Sequence, residues 1–99
     1  MCIPVLCELE AGIRGLSRPD EHRRALTLLL ARIRIWLLDG TTAATYGQIY
    51  QELRSRGCVL SQIDMMVAAL TRQMRVTLLT ADRDFSVVPD VPVENWLVR

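Results

Sequence analysis

Residues 61–84 read SQIDMMVAALTRQMRVTLLTADRD, and the order of signals in that stretch decides the fold class. Ser61 followed by Asp64 is a capping pair, which predicts a helix start. Val67, Ala68 and Leu70 carry the helix to about Met74, and its small residues suit close packing on a sheet. Val76-Thr77-Leu78-Leu79-Thr80 is continuously apolar or β-branched, as a strand covered on both faces is, and the charged turn Asp82-Arg83-Asp84 ends it. A buried helix feeding a buried strand predicts an α/β fold of three layers with a mainly parallel sheet.

The same reading extends outward. Upstream, Gly57 stops a helix opened by Thr41 or Thr42, with Ala43, Tyr46, Ile49, Tyr50 and Leu53 as its apolar stripe. Before it, Ile33 to Leu38 reads as a short buried strand ended by Asp39-Gly40. Ser17 as N-cap, Pro19 in the first turn and Asp20 completing a capping box predict a helix to about Ile33. Val5 to Arg14 reads as a first helix closed by Gly15, with Leu6, Leu9 and Ile13 on its buried stripe, and Met1 to Pro4 as a strand end. Downstream, Val91 to Val98 is a third strand.

The chain has 99 residues, 51% hydrophobic and 23% charged, enough for one packed domain and too apolar for disorder. A net charge of +1 excludes a strongly basic arm or acidic tail as the route to a partner, so any nucleic-acid contact is local. All twelve basic residues are Arg, whose planar forks suit carboxylate or phosphate; genome composition explains the same bias. Cys2, Cys7 and Cys58 are an odd count without paired spacing, so neither a disulfide framework nor a zinc site follows, and a reducing cytoplasm fits. The apolar run Ala25 to Ala31 is far below the roughly 18 residues of a membrane span, and no signal sequence is visible.

Glycine-rich phosphate loops, Gly-x-Ser-x-Gly, His-Glu-x-x-His and Cys-x-x-Cys are absent. The one histidine, His22, falls on a solvent-facing helix surface, and Cys2 and Cys7 read as small buried hydrophobes. Carboxylates remain. Asp64 is explained as well by the helix macrodipole as by chemistry, and Asp82 and Asp84 by turn formation. Periodicity does not choose between Glu8 and Glu10 on the first helix. Taken together, hard oxygen donors at helix and strand ends are the ingredients of a Mg²⁺ or Mn²⁺ site.

Glu8-Leu9-Glu10-Ala11-Gly12, then Asp64-Met65-Met66-Val67-Ala68-Ala69, then Leu79-Thr80-Ala81-Asp82-Arg83-Asp84-Phe85 and a closing Val93-Glu94-Asn95-Trp96, follow one another over nearly the whole chain. That order resembles the PIN-domain family, in particular the VapC-like toxins of bacterial toxin–antitoxin pairs. The resemblance implies a PIN-like fold and cleavage of RNA with Mg²⁺ or Mn²⁺. It implies that Glu8, Asp64 and Asp82 are three of four acidic metal-site residues, with Asp84 an auxiliary carboxylate and Thr80 a supporting group. It makes Arg72 and Arg83 candidates to hold the RNA backbone, a solvated surface place being the other reading of each, and an antitoxin protein the partner. Family members begin with a strand ending in an aspartate well before the Glu-Leu-x-x-Gly motif. This sequence begins seven residues before Glu8, so the resemblance implies an N-terminally truncated domain lacking that strand and its acid.

Three readings follow. The first is a toxin ribonuclease, active when the fourth acid is supplied. The second is a non-catalytic remnant that binds an antitoxin or itself. The third is a plain α/β interaction domain whose acids are caps and turns. Sheet edges at Ile33 to Leu38 and Val76 to Thr80 further predict a homodimer or higher assembly.

Overall fold

The computed structural model describes residues 1–80 and 82–95, which group into two compact units, Met1–Leu37 and Leu38–Arg99. In the first unit, helix α1 spans Ile3–Arg14, with Pro4 in its opening turn, where a missing N–H is no loss. Arg14 stands in its last turn, where positive charge suits the helix dipole, and Gly15 closes it. Helix α2 spans Pro19–Leu30. Pro19 takes the first helical position, which makes Arg18 the N-cap and leaves Ser17 outside. The expected Ser17–Asp20 capping box therefore does not form, and Asp20 and Glu21 serve the dipole of the first turn instead.

Helices α1 and α2 contact one another, and the Arg23 guanidinium forks onto Glu10 across them, at 3.2 and 2.7 Å. Ile13 of α1 and Leu26 of α2 are buried. Cys7, expected inside, is exposed.

The strand expected over Ile33 to Leu38 is not there. Trp36 makes a single parallel bridge to Cys2, its N–H donating to the Met1 carbonyl at 2.8 Å while its carbonyl accepts from Ile3 N–H at 3.1 Å. Residue 3 already belongs to α1, so the partner segment ends before a ladder can grow. With one partner residue the β-branched run is not covered: Leu37 is 72% exposed and Ile35 is exposed too. Strand preference in such runs reflects burial more than backbone. The Arg34 guanidinium lies 4.3 Å from the Trp36 ring centre, a cation–π contact.

In the second unit, helix α3 spans Gly40–Ser55 and begins one or two residues ahead of the expected Thr41 or Thr42. Asp39 is the N-cap: its carboxylate accepts from Thr42 N–H at 3.0 Å, and Asp39 N–H donates back to the Thr42 hydroxyl at 3.2 Å. The buried stripe is accordingly Thr42, Ile49 and Leu53, with Ala43 and Tyr50 on the exposed side. Gly57, at φ +69°, turns the chain out of the helix as the sequence predicts.

Helix α4 spans Gln62–Met74, capped by the Ser61 hydroxyl, which accepts from Asp64 N–H at 3.1 Å. It buries Met65 and residues 67–71. Helices α3 and α4 pack together. The Gln73 amide donates to Asp39 at 3.3 Å and accepts from the Thr42 hydroxyl, tying the start of α3 to the end of α4. These donors, the Thr42 backbone N–H foremost, hold the Asp39 carboxyl below its usual range.

Strand β1, Leu78–Leu79, pairs in parallel with β2, Val93–Glu94, in the register Leu78 to Val93 and Leu79 to Glu94. The parallel sense is as expected; the length is not. Val76 is 47% exposed and Leu79 53%, so the apolar run is not a strand covered on both faces. The end of the expected last strand, 96–98, lies outside the described residues. Between the strands a 3₁₀-helix, Arg83–Val87, buries Phe85. Among the described residues no helix is long and apolar enough to cross a membrane.

Candidate functional site

The end of β1 gathers the sequence's acidic signature. Thr80 N–H continues the ladder, donating to the Glu94 carbonyl at 3.1 Å. The Thr80 hydroxyl then accepts from Asp82 N–H at 3.0 Å, which fixes the chain as it leaves the sheet. Asp82 caps the 3₁₀-helix, one carboxylate oxygen accepting from Asp84 N–H at 2.9 Å. Thr80 thus orients the backbone at Asp82, and Asp82 presents an exposed carboxylate beyond the carboxyl end of a parallel strand, where open α/β sheets place ligands. Asp84 and Arg83 are exposed beside it.

Asp64 stands in the first turn of α4, half-buried, as the Ser61 cap dictates. Arg72, on the last turn of the same helix, is spent within the protein. Its guanidinium forks onto Glu52 of α3 at 3.3 and 2.8 Å and donates to the Pro89 carbonyl, and its side chain is only 14% exposed. The structure thus gives Arg72 a tie between α3, α4 and the loop at Pro89, while Arg83 keeps an open face.

Glu8 belongs to the first unit, exposed on α1. The structure separates it from Glu10. Arg23, through its hydrogen bond above all, holds the Glu10 carboxyl below the usual range and commits it to the helix pair. Glu8 has no ion pair or side-chain hydrogen bond among the described residues.

Within the second unit the donors are of the right type for a hard cation but are not gathered in one place. Among its described residues no three of Asp, Glu, His or Cys gather closely enough to hold a metal ion. Sequence reasoning overlooked Asp39, Glu52 and Gln73. Asp39 was legible as an N-cap three residues before Thr42. Glu52 and Gln73 act across a helix pair, and nothing local marks them.

The sequence profile of the PIN domain matches residues 1–91. Among curated proteins the chain is similar to Ribonuclease VapC2 of Rickettsia felis, 26% identical over 93 residues that cover 93% of this chain and 69% of that protein. Among solved structures it is similar to VapBC2 from Rickettsia felis bound to a DNA fragment from its promoter. That match has a TM-score of 0.91 and 25% identity and covers 96% of this chain and 72% of the other. FitAcB from Neisseria gonorrhoeae is similar with a TM-score of 0.77 and 26% identity, over 95% of this chain and 72% of the other.

Proposed function

Because this chain belongs to the PIN-domain family, we propose that it is the toxin ribonuclease of a toxin–antitoxin pair, cleaving RNA in the cytoplasm and held in check by an antitoxin protein. The observation that carries the reading is the Thr80–Asp82–Asp84 turn, which fixes an exposed carboxylate at the end of a parallel strand. The similarity to Ribonuclease VapC2 and to the VapBC2 complex supports both the activity and the partner.

Glu8, Asp64 and Asp82 are the proposed ligands of Mg²⁺ or Mn²⁺, with Asp84 auxiliary and Thr80 orienting the turn. When bound, such an ion supplies water activation and stabilises charge on the phosphate. Arg83 is the proposed contact to the RNA backbone, where a guanidinium pairs with phosphate. Self-association is proposed from the apolar side chains left exposed, Leu28 and Leu37 at 71% and 72% among them.

A second reading, a non-catalytic antitoxin-binding module, keeps the partner that the similarity to the VapBC2 complex supports and gives up the metal site. Calorimetric titration of Mn²⁺ separates the two. Under the ribonuclease reading the wild type releases binding heat and Asp64→Asn, which keeps the Ser61 cap, loses most of it. Equal heats from the two proteins would remove Asp64 from any metal site and favour the second reading.

A further inference from the structure

The second unit contains a cavity of about 380 Å³ lined by Tyr50, Leu53, Arg54, Cys58, Leu60 and Met65 among others. It lies between the last turns of α3, the segment that follows Gly57 and the first turn of α4. Ligand sites span about 300–1,000 Å³, so it can receive a ring system. Its floor is apolar: Leu53, Leu60 and Met65 are buried. Its wall is aromatic and open, the Tyr50 side belonging to a residue 46% exposed, and Val59 at its mouth is 91% exposed.

Two guanidinium groups stand on its α3 side. Arg54 stands four residues after Tyr50, one turn along the same face of α3, and Arg56 follows it. Both are exposed, and neither makes an ion pair among the described residues. Arg23 and Arg72, by contrast, are each forked onto a glutamate. An exposed aromatic face over an apolar floor, beside two uncompensated guanidinium groups, is the pairing that receives a base and its backbone phosphates. Met65, which lines the cavity, directly follows Asp64, so the cavity and one proposed ligand carboxylate share the first turn of α4.

We propose that this cavity is a nucleobase subsite: an unpaired base of a single-stranded RNA stacks on Tyr50, with Arg54 on the adjoining phosphate. The inference rests on the ribonuclease reading for its substrate class, and it makes Tyr50 and Arg54 determinants of which RNA is held.

The test is fluorescence anisotropy with a fluorescein-labelled single-stranded RNA of twelve nucleotides and an abasic sugar-phosphate strand of equal length, both in EDTA. Tyr50→Ala should weaken RNA binding about 10-fold, the usual effect of removing one stacking platform. Tyr50→Phe should restore it, because the ring and not the hydroxyl carries the contact. The wild type should prefer RNA to the abasic strand, and Tyr50→Ala should lose most of that preference. Arg54→Gln should reduce the salt slope by about one counterion. Equal affinity of wild type and Tyr50→Ala for RNA, or no preference of the wild type for RNA over the abasic strand, would overturn the subsite and leave the cavity to a protein partner. Cleavage with Mn²⁺ is measured separately, on the same protein preparations without chelator, so the ribonuclease reading stands or falls on its own.

Discussion

Replacing Asp82 by Asn should lower RNA cleavage by about 100-fold or more, equivalent to about 3 kcal/mol of barrier, without changing the fold. Two roles meet at this side chain, and the substitution separates them. One carboxylate oxygen accepts from Asp84 N–H and caps the 3₁₀-helix. Asn keeps an oxygen able to accept the same hydrogen bond, so the turn survives. What disappears is the negative charge, which a hard cation or a proton in transfer requires. The far-ultraviolet circular dichroism and thermal midpoint should therefore match the wild type while the cleavage rate collapses. A variant that cleaves at the wild-type rate would reduce Asp82 to a turn former.

The largest expected loss of stability comes from Ile49→Ala, at about 3 kcal/mol. Ile49 is fully buried on α3, in the unit where α3 packs on α4, and it continues the stripe of Thr42 and Leu53. Truncating such a side chain forfeits its transfer energy and leaves a cavity, together about 2–5 kcal/mol. Small domains hold only about 5–15 kcal/mol in total, so one such change removes a large share. Urea unfolding followed by circular dichroism should show a lower midpoint at unchanged slope. Val59→Ala, at a site 91% exposed, should change the unfolding free energy by less than about 0.5 kcal/mol. Similar losses at the two sites would mean that α3 does not carry the core of its unit.

The elements that could be read from the sequence are those specified locally. Ser61 and Asp64 announce α4 because the cap and the first turn are made by neighbours in the chain, and Gly57 announces the end of α3 because only a left-handed residue is needed there. The parallel sense of the sheet was legible from alternation of helix with apolar strand. The strand expected at Ile33 to Leu38 was not, because pairing is a property of two segments: Cys2 offers a single bridge before α1 begins, and composition cannot register the missing partner. Helix starts differ by one or two residues, at Ser17 and at Thr41 or Thr42, because Pro19 takes the first helical position and Asp39 is the better cap.

The site divides the same way. Thr80, Asp82 and Asp84 lie within a few residues of one another, and their hydrogen bonds follow from that spacing. Periodicity left Glu8 and Glu10 equivalent and only the family resemblance named Glu8; that Glu10 is tied to Arg23 is a contact between two helices, which no local pattern marks. Arg72, read from the sequence as a contact to the RNA backbone or a solvated cation, is a half-buried tie to Glu52, and its partner is on another helix.

The decisive measurement for the metal-dependent ribonuclease reading is cleavage of a labelled single-stranded RNA by the wild-type chain with Mn²⁺ or Mg²⁺, with excess EDTA, and with metal restored after chelation. Cleavage is expected with metal, none with EDTA, and recovery on add-back. Cleavage that persists in EDTA, or no cleavage under any of the three conditions by a folded chain, would contradict that reading.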